Sequence, residues 1–220
     1  MKVIQNLVSP SKYNTKCPYS MNAEFIVVHN TYNDTSAINE VLYMIRNNKA
    51  ISFHYAVDNK KIVQGIPENR NAFHAGDGGR GKGNRKGLSI EICYSKSGGQ
   101  KFIDAEKLAA KFIASKLKEK KWGIDKVKKH QDFANKYCPH RTLDMGWQRF
   151  LNMIQAELDI LEGAGTMKNK QHWGEEVYQR LIKKGIKFDE KRFNDNLTRA
   201  EAFAITDKIT DWLLKQINRR

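Results

Sequence analysis

A chain of 220 residues with 40% hydrophobic and 10% aromatic side chains can bury a core, which excludes a globally disordered protein. Its 39 Lys and Arg against 24 Asp and Glu give a formal charge of +15. Residues 166–220 hold thirteen basic and eight acidic residues, so +10 remains in residues 1–165 and the excess runs along the whole chain. That balance suits a polyanionic partner: nucleic acid, an anionic membrane or an anionic cell wall. Three cysteines, Cys17, Cys93 and Cys138, form no paired framework and no C-x-x-C, so reduced thiols are expected. The N-terminal "MKVIQNLVSPSKYNTKC" has no long apolar core, and no stretch reaches the roughly 20 apolar residues that span a bilayer. A cytosolic protein with no signal peptide and no membrane insertion is expected.

In chain order, "AEFIVVHN" reads as a buried strand ending at His29, apolar on both faces. "SAINEVLYMIRNN" places Ile38, Leu42 and Ile45 at helical spacing. "ISFHYAVD" and "KIVQGI" flank "DNK" as a hairpin, and "LSIEICYS" is a further strand before the turn-rich "KSGG". Asp104 is placed to cap a helix whose Leu108, Phe112, Ile113 and Leu117 form one face and which stops at Gly123. "IDKVKKH" is a short extended run, and "GWQRFLNMIQAELDIL" is helical. Strands alternating with helices predict an α/β domain over residues 1–162: a central mixed β-sheet flanked by helices. "EGAGTMKNK" supplies a linker, taken as residues 163–170, before a small helical C-terminal domain over 171–220. There Val177, Tyr178, Leu181 and Ile182 make one helix, and "TRAE" is a capping box before Ile205, Ile209, Trp212 and Leu213.

"GDGGRGKG", Gly76 to Gly83, nearly fits a phosphate-cradling loop, but Gly83 replaces the magnesium-binding hydroxyl and the chain is expected to run straight into the strand "LSIEI". A glycine-rich loop beside a cleft is the better reading, with Arg80, Lys82, Arg85 and Lys86 available to an anionic ligand. "HQDFANKYCPH" raises the metal question. Zinc accepts histidine nitrogen and cysteine sulfur, and catalytic sites use three protein ligands. His29 and His130 end extended runs, and Cys138 sits in a loop whose next residue, Pro139, favours extended backbone. Spacing alone leaves both a metal site and ordinary packing open. Glu91 sharpens the choice: it shares a face with Ser89 and Cys93 in an otherwise apolar strand, where a carboxylate is costly unless poised near a cation. An edge strand turning Glu91 to water is the alternative. His54 reads as a packed histidine, His140 and His172 as surface residues, and Cys17 and Cys93 as buried thiols.

"FIVVHNTYN", "SFHYAVD", "AFHAGDG", "LSIEICYSKSGG" and "HQDFANKYCPHR", in that order, resemble the zinc-dependent N-acetylmuramoyl-L-alanine amidases of phage endolysins, relatives of peptidoglycan recognition proteins. The likeness covers roughly residues 1–160. It implies Zn2+ held by His29, His130 and Cys138, with Glu91 as the acidic catalytic residue and Lys136 as the lysine before the cysteine ligand. The implied chemistry is hydrolysis of the amide between N-acetylmuramic acid and L-alanine. Glu91 would move the proton from water to the leaving amine, and Lys136 would stabilise the oxyanion. Asn30, Phe53 and His74 are candidate substrate contacts. Many members carry a catalytic tyrosine at the position of Phe53; a phenyl ring donates no hydrogen bond, so that role is missing here or falls to Glu91. "HWGEEVYQRLIKKGI" and "RFNDNLTRAEAFAI" resemble one degenerate S-layer-homology unit, implying contact with peptidoglycan and anionic wall polymers. The implied location is the host cytoplasm until release, then the cell wall. Two rivals remain: a non-catalytic peptidoglycan receptor of the same fold, and a basic nucleic-acid-binding module whose binding would fall steeply with salt.

Overall fold

The computed structural model describes residues 1–163 and, beyond them, residues 182–183, 206 and 209–212. The chain divides into two compact units, Met1–Thr166 and Met167–Arg220. The helix pair, capping box and S-layer-homology-like unit expected over 171–220, with His172, lie outside the described residues; the few described there are helical.

Six strands form one sheet: β1 (Val3–Gln5), β2 (Phe25–Asn30), β3 (Tyr55–Val57), β4 (Ile62–Gln64), β5 (Gly87–Ile92) and β6 (Val127–Lys129). Their spatial order is β1-β4-β3-β5-β2-β6. Only β3 and β4 run antiparallel, joined by the expected hairpin, in which Asp58 Oδ1 accepts the amides of Lys60 and Lys61. Helices α1 (Tyr13–Lys16), α2 (Ala37–Arg46), α3 (Lys82–Lys86), α4 (Gly99–Lys120), α5 (His140–Asp144) and α6 (Trp147–Leu161) complete the unit. This is the mixed sheet flanked by helices that the sequence predicts.

The central strands read as continuous apolar runs because both faces are covered. Ile26, Val28, Leu88, Ile90 and Ile92 face α4 and α6, where Phe102, Phe112, Ile113, Phe150 and Ile154 close the larger core. Fully burying side chains of this size contributes on the order of 1.5–3 kcal/mol each. The opposite face carries a smaller core in which Ala56, Val63 and Cys93 meet Val41 and Met44 of α2. That cover stops short of the carboxyl ends of β2 and β5, and the cleft opens there.

Several local expectations are corrected. The buried stripe of α2 is Ala37, Val41 and Met44, while Ile38, Leu42 and Ile45 are only half-buried. Gly65 lets that stripe pack closely: a Cβ there would lie 2.5 Å from Met44 Cε. Helix α4 begins at Gly99, not at Asp104, which lies inside it and accepts from Gln100 Nε2 at 2.8 Å. It ends before Gly123, at Lys121 in the left-handed region, where the Trp122 amide closes on the Leu117 carbonyl. The glycine-rich loop does lead into a helix, the five-residue α3. The amides of Gly83 and Asn84, which a phosphate would require, are taken by Asp77 Oδ2 and Oδ1 at 2.6 and 3.2 Å.

Candidate metal centre and its cleft

Three strands deliver the chemistry at their carboxyl ends, the edge at which open α/β sheets generally bind ligands. His29 is the fifth residue of β2, and its Cα register partner in β5 is Glu91. Parallel partners share a face, so both side chains leave the sheet on the same side. β6 ends at Lys129, which makes His130 the first residue of a single 3-10 turn, His130–Asp132. Cys138 follows after a short loop and joins Pro139 through a cis peptide bond.

The three side chains meet. His29 Nδ1 lies 3.0 Å from His130 Nδ1 and 3.9 Å from Cys138 Sγ. The ligand atoms of His29, His130 and Cys138 all lie within 4.8 Å of one another, and all three residues are buried. Burial, with neighbouring positive groups adding, holds the His29 ring well below the usual imidazole pKa. Burial and then Lys136 lower His130 to about 4. Both rings are therefore neutral and able to donate lone pairs to a cation. Burial, reinforced by Glu91, pushes the Cys138 thiol up to about 12, a shift that a bound dication reverses by favouring thiolate.

Glu91 completes the pattern. Burial pushes its carboxyl up to about 8, Glu40 adding and Lys136 opposing. Its Oε2 is buried with no hydrogen-bond partner, and β5 is flanked by β3 and β2, so the edge-strand alternative is overturned. Converging nitrogen and sulfur lone pairs beside the half-buried Glu91, whose Oε2 has no partner, suit a divalent cation, and this donor set suits zinc.

Two adjoining hollows of about 680 and 530 Å³ share Asn30, Ile51, Phe53, Glu91, Lys136 and Cys138 in their walls. Lys136 is exposed at their junction. Phe53 is buried in the smaller core and presents only ring carbon to the cleft. Asn30, a candidate substrate contact, lines both hollows, and its side chain is hydrogen bonded on every side. Its Oδ1 accepts the amides of Arg141 and Thr142, and its Nδ2 donates to the His29 carbonyl and to Thr142 Oγ1, which spends its hydrogen-bonding capacity. Asn30 ties the strand of His29 to the helix that follows Cys138. His74 lines the larger hollow but is buried, with His29 and the Gly87 carbonyl against its two ring nitrogens.

His54 is packed as expected, between Ser89 and the Arg70 carbonyl. Cys17 and Cys93 are buried thiols. His140 is half-buried rather than a surface residue, its Nε2 donating to the Ser95 carbonyl. Of the four basic residues around the glycine loop, Lys86 and Lys82 pair with Glu24 at 3.0 and 3.9 Å, and Arg85 stacks on Tyr19. Asn84, which sequence reasoning passed over, is 3% exposed and receives the amides of both His74 and Ala75. An asparagine inside "GKGNRKG" gives no periodic signal that would have singled it out.

The family described as N-acetylmuramoyl-L-alanine amidase matches residues 19–141, a span holding His29, Glu91, His130, Lys136 and Cys138. The N-acetylmuramoyl-L-alanine amidase CwlA of Bacillus subtilis (strain 168) is 58% identical over 164 residues, 74% of this chain and 60% of that protein. XlyB, an amidase of the same name and organism, is 51% identical over 184 residues, 83% of this chain and 57% of its own length. The chain thus spans about 60% or less of these curated relatives. The solved structure of PlyL matches with a TM-score of 0.68 at 50% identity, covering 70% of this chain and 97% of that one. The PlyG catalytic domain matches with the same TM-score and identity, covering 72% and 96%.

Proposed function

Because the chain belongs to the N-acetylmuramoyl-L-alanine amidase family, we propose that it hydrolyses the amide bond between N-acetylmuramic acid and L-alanine in bacterial peptidoglycan. The observation that supports this most directly is the meeting of His29, His130 and Cys138 beside the unpartnered carboxylate of Glu91. A receptor needs neither a thiol ligand nor a carboxylate held beside it without a partner.

Zinc is the cofactor in this reading, and His29, His130 and Cys138 would hold it. When bound it supplies Lewis acidity, polarising an amide carbonyl and lowering the pKa of water from about 15.7 toward neutrality. Glu91 accepts the proton of the attacking water and returns it to the amine nitrogen of L-alanine as the carbon–nitrogen bond breaks. A cation beside Glu91 draws its pKa back down from about 8, which suits a base working near neutral pH. Lys136, exposed at the junction of the two hollows, offers its ammonium to the developing oxyanion, a role worth on the order of 3 kcal/mol per donor. Phe53 donates no hydrogen bond, so proton transfer rests on Glu91.

In the same reading residues 1–162 are the catalytic domain, 163–170 a linker and 171–220 an S-layer-homology-like wall-binding unit. A chain of +15 has the charge to meet anionic wall polymers. The cell wall is its site of action; among the described residues no helix is long and apolar enough to cross a membrane. The test is to incubate the purified chain with Gram-positive walls and measure new N-terminal alanine and reducing sugar. New N-terminal alanine without new reducing sugar is expected. Walls that lose no turbidity and gain no alanine amine overturn the proposal.

A further inference from the structure

The back of the metal centre is organised by a chain of hydrogen bonds that ends on a carbonyl. His74 Nε2 lies 3.2 Å from the Gly87 carbonyl oxygen. A carbonyl only accepts, so this nitrogen carries a proton. Neutral His74 then has a lone pair on Nδ1, which lies 3.0 Å from His29 Nε2. His29 Nε2 is therefore the donor, and the proton-free nitrogen of His29 is Nδ1, the atom that faces His130 and Cys138. The logic runs one way from a fixed acceptor to the ligand atom.

His74 is itself held from behind by Asn84. The amides of His74 and Ala75 donate to one oxygen, Asn84 Oδ1, at 2.7 and 2.8 Å, and Asn84 Nδ2 donates to the Gly78 carbonyl at 3.0 Å. The His29 and His74 rings cross at 90° with centroids 5.0 Å apart, so an in-plane nitrogen of one meets the other directly. Both ring nitrogens of His74 are engaged, Nε2 by the Gly87 carbonyl and Nδ1 by His29.

We propose that His74, pinned by Asn84 and by the Gly87 carbonyl, is a positioning residue that locks His29 in its Nε2–H tautomer and so presents Nδ1 to the metal. The consequence for metal affinity rests on the zinc reading above; the tautomer itself does not. Outer hydrogen bonds of this kind typically contribute about 10–100-fold to metal affinity.

The test uses the full chain in two states. In the metal-free protein, long-range 1H–15N NMR of the imidazoles should find His29 protonated at Nε2 and bare at Nδ1. His74→Leu removes the acceptor and should scramble that tautomer, while His74→Asn, whose side-chain oxygen can stand near the Nδ1 position, should preserve it. In the zinc-loaded state, competition with a chromogenic chelator should show His74→Leu about 10–100-fold weaker and His74→Asn within a few-fold of the parent. Finding His29 protonated at Nδ1 in the parent protein overturns the proposal, a measurement that needs no variant to fold. So does an unaltered His29 tautomer in a folded His74→Leu variant. If the parent holds the predicted tautomer yet binds no zinc, the tautomer lock stands and the metal reading alone fails.

Discussion

His29 and Glu91 are register partners in the two adjacent parallel strands β2 and β5. Neighbouring strands lie about 4.8 Å apart, so this pairing sets a carboxylate one strand spacing from a metal-ligand candidate, on the same face of the sheet. Sheet geometry therefore does what a flexible loop could not: it holds the proposed proton acceptor at a fixed distance. Glu91→Gln keeps the shape and removes the basicity. Hydrolysis of walls should fall about 10²–10⁴-fold, with zinc content by mass spectrometry unchanged. Full activity in that variant would move the base elsewhere.

Cys138 supplies the only sulfur among the three converging ligand atoms. Removing zinc with a chelator should abolish hydrolysis, and adding zinc back should restore it. Cys138→Ser, which exchanges thiolate for a much less acidic hydroxyl, should lower bound zinc to well under one per chain after dialysis. A variant that retains one tightly held zinc would remove Cys138 from the ligand set.

Asn30 fastens the end of β2 to the start of α5 through three hydrogen bonds, to Arg141 and Thr142. Asn30→Ala leaves the buried Thr142 amide without its acceptor, at a cost of about 1–3 kcal/mol. For a unit of this size the expected fall in Tm is roughly 2–10 °C, read by calorimetry. Zinc affinity should fall with it, because the loop carrying Cys138 loses its anchor. Unchanged Tm would show that α5 is held by other contacts.

Glu68 governs a pH dependence away from the cleft. Burial alone would raise its carboxyl, but hydrogen bonds from Lys116, Tyr55 and Lys120 outweigh that and hold it down at about 2. The ammonium groups of Lys116 and Lys120 lie 2.8 and 2.9 Å from its two oxygens. A depressed carboxylate pKa adds stability above the unfolded value of about 4.5 and loses it as pH falls toward 2. Parent and Glu68→Gln should thus differ by on the order of 2–3 kcal/mol in urea unfolding at pH 7. The difference should narrow steadily below about pH 4.5. A gap that stays constant down to pH 2.5 would rule out Glu68 as its source.

The sequence by itself determined the layered α/β plan, because a run such as "FIVVHN" is largely apolar on both faces, as an interior strand between helices is, and strands of this kind alternate with helical segments. It also singled out Glu91, since a carboxylate in such a run is expensive without a reason. Helix edges were less legible: Asp104 looks like a cap, yet Gly98 and Gly99, at φ +72° and +66°, turn the chain earlier and start α4 there. What only the tertiary structure decided is which distant residues touch. Strand order brings residues 29, 91 and 130 to one sheet edge although the chain separates them by dozens of positions, and no local periodicity encodes that order. The roles of Asn30, His74 and Asn84 depend on the same closure, because a hydrogen bond exists only once both partners are placed within about 3 Å, and those partners are set by packing rather than by neighbours in sequence.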